Sequence, residues 1–246
     1  MKEHIAVFAS GGGTNLQALI DHFADSRVAE IALVVSDRND AGALDRARAA
    51  GIPTHHIQVR TRPIAAVTAD LLDALGTAHA DLVVLAGFMR LVPTDVVRRY
   101  AYRILNIHPA LLPAFGGKGM YGERVHEAVL AAGCRVTGAT VHFVNERYDE
   151  GRILAQWPVP VLEEDTPETL ARRVLRVEHA LYPAAVEWLA RVLAAAGGDT
   201  ELAAQGDAEA AVEEAMPLPV SDAVCFRLNE SAEPDREGIR RMFGLS

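Results

Sequence analysis

Short apolar runs at 5–9, 31–36, 54–59, 82–86 and 104–108 alternate with helix-spaced stretches near 15–24, 41–50, 64–79 and 93–100, and this alternation narrows the fold more than any other feature. Strand-length runs separated by helix-length segments predict βαβ units with right-handed crossovers, because parallel neighbours cannot be joined by a tight turn. Residues 81–87 show no polar alternation and read as a strand buried on both faces. Gly51 behind the 43–50 stretch, with Pro53 beyond it, is a helix stop. Runs at 139–144 and 153–161 follow each other with no helical pattern between them, which predicts antiparallel strands. The expected class is α/β: a Rossmann-like, mostly parallel sheet flanked by helices, with antiparallel strands added in the C-terminal half.

A long helix is expected from Thr166-Pro167-Glu168, where a hydroxyl cap, a proline at the first position and an early acid agree. Leu170, Val174, Val177, Leu181, Ala185 and Leu189 then recur on one face until Gly197-Gly198 ends it. Beyond lie a short exposed helix at 200–215, an edge strand at 220–228 and a mobile terminus at 229–246. The expected organisation is one domain over 1–197 and a partly ordered acidic extension over 198–246. Residues 199–246 hold eleven acidic against four basic side chains, leaving 22 against 20 before them. The net charge of −9 thus belongs to the tail, and no basic footprint for a nucleic acid exists. The chain passes from Met1 straight into its first apolar run, without a leader or a membrane-length segment, so cytoplasmic residence is expected. Cys134 and Cys225 have no redox or metal spacing. Residue patterns leave monomer and homodimer open.

Two motifs carry chemistry. Ser10-Gly-Gly-Gly-Thr-Asn15 lies between the first strand and the first helix, where glycines admit a ligand and helix-start N–H groups attract an anion. A phosphate site is the expected reading, with a plain tight turn as its competitor. The dinucleotide fingerprint fails because Leu16 stands where its third glycine belongs, and no Gly-Lys-Ser/Thr follows. Asn106-Ile-His108-Pro is the second motif. Strand alternation puts Asn106 and His108 on one face and Ile107 in the core. An amide donor beside an imidazole suits chemistry on a carbonyl, which needs a donor for the developing oxyanion and a group that carries a proton. Asp149, if it folds back, is expected to orient the ring and raise its pKa. His142 reads as support for the site or as a satisfied core histidine, and His179 as a ligand-orienting or packing residue. His55, His56 and His126 lack ligand spacing, so no metal is expected.

These motifs occur in a fixed order with Leu85-Ala-Gly-Phe-Met-Arg-Leu91, Leu111-Leu-Pro113, Val141-His-Phe-Val144 and Val177-Glu-His-Ala-Leu-Tyr-Pro183. Over residues 4–195 the chain thereby resembles the folate-dependent formyltransferases, specifically the branch that formylates glycinamide ribonucleotide in purine synthesis. That resemblance implies 10-formyltetrahydrofolate as co-substrate and Asn106, His108 and Asp149 as the catalytic trio. It places the ribonucleotide phosphate on Gly13, Thr14 and Asn15 and the ribose on Glu178. It places folate along Met89, Arg90, Leu91 and Val92, and along Asn145, Glu146, Arg147, Tyr148 and Asp149, with Asn106 between them. Two departures stand out: Ile64 occupies the neighbourhood of a folate-contacting arginine, with Arg60 and Arg62 beside it, and residues 115–121 are unusually glycine-rich. A deformylase relative, in which water replaces the amine, is the closest rival; it normally carries an extra domain ahead of the catalytic half. A tRNA-formylating relative needs a basic extension, and this one is acidic. A non-catalytic phosphosugar binder would leave the trio idle.

Overall fold

The computed structural model describes residues 2–196, 205–216 and 234–245. Within them β1 (Glu3–Phe8), β2 (Ala29–Ser36), β3 (Thr54–His56), β4 (Leu82–Leu85), β5 (Ile104–His108), β6 (Val136–Phe143) and β7 (Ile153–Pro160) form one sheet, ordered β3-β2-β1-β4-β5-β6-β7. The first five pair in parallel; β6 runs antiparallel to β5, and β7 to β6. This is the α/β class expected from the alternation, antiparallel addition included. The helices are α1 (Thr14–Phe23), α2 (Gly42–Ala49), α3 (Ile64–Thr77), α4 (Thr94–Arg99), α5 (Glu123–Ala131), α6 (Pro167–Ala195), α7 (Gln205–Ala215) and α8 (Arg236–Met242).

The two-residue period of β1 explains the layers. Ile5, Val7 and Ala9 join the apolar cluster that includes α1, α2, α5 and α6, while Ala6 and Phe8 join the one under α3 and α4. The chain winds outward from β1 through β2 to β3, then crosses back to β4. Above the carboxyl ends of β1 and β4 this reversal opens a crevice, the place where doubly wound sheets hold ligands.

α6 is fixed at its start by a capping box, in which Thr166 Oγ accepts from the Thr169 N–H and Thr169 Oγ accepts from the Thr166 N–H. Immediately before Pro183, the buried Tyr182 hydroxyl lies 2.9 Å from both the Leu85 and Leu105 carbonyls, so α6 is registered against the ends of β4 and β5. Further on, the Glu187 carboxylate receives His22 of α1 at 2.8 Å, Arg191 at 2.7 Å and Arg240 of α8 at 3.5 Å.

Three expectations change. α5 is not among the expected helices, yet Val125, His126 and Val129 form its buried face. The terminus expected to be mobile contains α8, which buries Ile239, followed by buried Phe243 and Leu245 in the main core; burying each such side chain stabilises by about 1.5–3 kcal/mol. α7, expected to be exposed, buries Ala208 and Val212 in the same core. The Gly197-Gly198 stop and the 220–228 strand lie outside the described residues.

Candidate active site

The glycine turn leaves β1 and enters α1 with Gly13 as N-cap at φ 74°, a left-handed conformation in which L side chains are strained. A Cβ there would also stand 2.7 Å from the Ala43 Cα, so the turn packs directly on the start of α2. Ala43 N–H donates to the Gly11 carbonyl at 3.1 Å and Arg46 Nε to the Gly12 carbonyl at 2.8 Å. The first N–H groups of α1 have no partner within the helix. Asn15 reaches across to α6, where its Nδ2 donates to Glu178 Oε2 at 2.7 Å. Burial raises the Glu178 pKa, partly offset by that hydrogen bond.

β5 delivers Asn106 and His108 to the crevice, with Ile107 buried between them. His108 Nε2 lies 2.9 Å from the Phe115 carbonyl, which can only accept, so Nε2 carries the hydrogen and Nδ1 is the nitrogen left to exchange a proton. Nδ1 is 3.7 Å from Asp149 Oδ2. Asp149 sits at φ 56°, a conformation Asp tolerates, and its Oδ2 accepts from the Gly117 N–H at 2.9 Å. Gly116 makes this approach feasible, because a Cβ there would meet Leu112 Cδ2 at 2.6 Å and Asp149 Cβ at 3.2 Å. The Asn106 amide donates to His142 Nε2 at 3.0 Å and weakly, at 3.5 Å, to Asp149 Oδ1. His142 is oriented in turn by its Nδ1 donating to the Phe143 carbonyl at 2.9 Å.

The electrostatics correct one expectation. His108 is held below the ordinary histidine pKa: burial outweighs the raising effects of Asp149 and the Phe115 carbonyl, and His142 adds to the lowering. The ring is therefore predominantly neutral near pH 7. Burial pushes the Asp149 carboxyl up, but His142, His108 and the Gly117 N–H together bring it below the usual carboxylate range. A fixed anion thus faces a neutral but protonatable ring.

A cavity of about 740 Å³ joins these groups: Asn15 and Glu178 line it at one side, Asn106, His108 and Asp149 at its floor, and Phe88, Met89, Met120, Tyr121 and Tyr148 along its apolar part. Gly13 and Thr14 do not line this cavity; they form the turn immediately before Asn15. Arg90, Leu91, Val92, Asn145, Glu146 and Arg147 also lie off it: Arg90 pairs with Asp37 at 2.8 Å, Val92 is core, Glu146 pairs with Arg98 and Arg147 with Glu150. Ile64 is 64% exposed, and Arg62 pairs with Asp70. His126, on the unassigned α5, lines the cavity as well; burial and His108 bring its pKa down to about 4. Among the described residues no group of three His, Cys, Asp or Glu side chains could hold a metal ion. No helix there is long and apolar enough to cross a membrane.

Fold and site define a doubly wound α/β protein whose ligand cavity opens at the switch point and carries an amide, an imidazole and a carboxylate. A family model described as formyl transferase matches residues 3–186. The chain is 47% identical over 184 residues to the chloroplastic phosphoribosylglycinamide formyltransferase of Arabidopsis thaliana, a match taking in 74% of this chain and 63% of the plant protein. It is 37% identical over 186 residues to the phosphoribosylglycinamide formyltransferase of Bacillus subtilis, covering 75% of this chain and 93% of that one. A crystal structure of glycinamide ribonucleotide transformylase 1 from Symbiobacterium toebii superposes with TM-score 0.72 at 45% identity, over 77% of this chain and 88% of that one. This chain spans less than two thirds of the length of the plant relatives it matches. It belongs to the formyl transferase family.

Proposed function

We propose that the protein transfers the formyl group of 10-formyltetrahydrofolate to the primary amine of glycinamide ribonucleotide; the relatives are named for formylating phosphoribosylglycinamide, and the folate donor follows from the family resemblance. The observation that carries the reading is the single cavity in which the Asn15–Glu178 pair beside the glycine turn faces Asn106, His108 and Asp149. Gly13, Thr14 and Asn15 hold the phosphate, and Glu178 accepts from ribose hydroxyls. The apolar part beside Met89 and Tyr148 takes the flat pterin by stacking and burial. Residues 1–197 form the catalytic unit and 198–246 an acidic extension to it.

The amine nitrogen attacks the formyl carbon directly, with no enzyme nucleophile. As the carbonyl oxygen becomes an oxyanion, the weakly committed Asn106 N–H turns onto it. His108 Nδ1, neutral at the outset, takes the proton that the attacking nitrogen sheds. The imidazolium so formed is an ion-pair distance from Asp149, whose fixed charge stabilises it. His108 then returns the proton to N10 of the folate as the carbon–nitrogen bond breaks, leaving formylated product and tetrahydrofolate.

Consumption of 10-formyltetrahydrofolate, followed by absorbance with and without glycinamide ribonucleotide, tests the reading. Amine-dependent consumption is expected. Equal consumption without the amine would make the protein a deformylase, and no consumption would overturn formyl chemistry.

A further inference from the structure

A second cavity, of about 520 Å³, lies on the other side of the Asn15–Glu178 pair, between α1, α6 and α8. The wall between the two is thin in sequence: Asn15 and Glu178 line the catalytic cavity, while their neighbours Thr14 and His179 line this one. Its charge is one-sided. Arg46, Arg236 and Arg240 converge on it with His22 and His179, against Asp21 as the one acid of the lining.

Several of these groups are already engaged. Arg46 gives Nε to the Gly12 carbonyl and Nη1 to Gln17 Oε1, leaving Nη2. Arg240 and His22 share Glu187, and Asp21 accepts from Gln17. His179 Nε2 is buried without a hydrogen-bond partner, and the ring's pKa is lowered by burial first, then by Arg236 and Arg46, so both guanidinium groups are close enough to repel a charge there. Gathering like charges around a cavity opposes folding unless an anion answers them. Arg236 is carried on a helix that is itself anchored by buried Ile239 and by the Arg240–Glu187 contact.

We infer that α8 of the C-terminal extension completes the substrate site, with Arg236, seconded by Arg46, contacting the phosphate of the phosphoribosyl substrate from the side opposite the catalytic groups. This rests on the function proposed above and goes beyond it, because it assigns a substrate contact to the acidic extension. The contact requires a ligand lying along the glycine turn, with its amine end at His108 and its dianionic end at the arginines. Guanidinium suits that end, since its planar fork meets two phosphate oxygens at once.

The test uses the full chain and steady-state kinetics with glycinamide ribonucleotide and with its dephosphorylated riboside. Arg236→Gln is expected to raise KM for the ribonucleotide about tenfold, the loss of one charge-assisted contact, while kcat and the KM for 10-formyltetrahydrofolate stay within about twofold. Arg236→Lys should recover part of the loss, and turnover of the riboside should not respond to either change. Arg241→Gln, on the same helix and paired with Asp235 and Glu237, serves as control and should keep the wild-type KM. An unchanged ribonucleotide KM in Arg236→Gln would overturn the role of α8 while leaving the proposed reaction intact. An equal KM rise for riboside and ribonucleotide would overturn it too, since that marks a structural effect. Absence of amine-dependent turnover in the wild type would instead sink the proposed reaction, and this contact with it.

Discussion

Replacing Asn15 by leucine, a side chain of similar size without a donor, removes the 2.7 Å hydrogen bond to Glu178. Glu178 is only 6% exposed and its pKa is raised by burial, so its ionised form depends on that donor. A hydrogen bond to a charged group contributes about 1.5–3 kcal/mol, and leaving a buried acceptor unmet costs a similar amount. About 2 kcal/mol is therefore expected, or roughly 4–8 °C in Tm for a chain of this size. The loss should depend on pH. A carboxyl whose folded pKa is raised leaves the fold unpenalised in acid, and its penalty develops as pH rises from the unfolded pKa through the folded one. Losing Asn15 raises the folded pKa further, so the variant's deficit should be full in alkaline buffer and shrink as pH falls through the Glu178 titration. Thermal melts of both proteins at pH 5 and pH 8.5 measure it. A deficit of equal size at both values would show that Asn15 matters by packing and not by supporting a buried charge.

His108→Asn should lower kcat about 10²–10⁴-fold, the usual contribution of a positioned acid–base group, with Tm nearly unchanged; turnover near wild type would remove the imidazole from the mechanism. Because burial lowers the His108 pKa and Asp149 opposes that, the acid limb of kcat/KM should fall below the ordinary histidine range, and Asp149→Asn should move it further toward acid. A wild-type limb at or above the ordinary value contradicts this. Gly116→Ala forces Leu112 and Asp149 to shift and should depress kcat/KM well beyond any loss in Tm, which parallel kinetic and melting measurements would reveal. Thr166→Ala unmakes the α6 cap, at about 1 kcal/mol or roughly 2–4 °C, and should leave kinetics untouched.

Alternation of apolar runs made the parallel sheet legible, and the missing helix before 153 made the antiparallel pair legible. Asn106 and His108 followed from strand period alone. α5 escaped because a glycine-rich stretch precedes it and its buried face is short; with it went the placement of His126. α8 escaped because a short, charged surrounding masks Ile239, Phe243 and Leu245, whose burial needs the tertiary groove beside α6. The direction of the His108 shift was not accessible either: neighbours can be guessed from sequence, but desolvation depends on how completely the β5 end is covered. Phe115, whose carbonyl fixes the imidazole tautomer, contributes only backbone, which residue identity does not announce.

The three glycines of the first turn are not equivalent. A Cβ added at Gly11 or Gly12 meets nothing within 4 Å, whereas Gly13 has both a left-handed backbone and the α2 backbone against it. A saturation library across 11–13 selected for folding alone should accordingly return varied residues at the first two places and glycine alone at the third. Folding thus demands glycine only at the position before the hydroxyl residue, and any demand for small residues at the two preceding places would come from the ligand that passes over them.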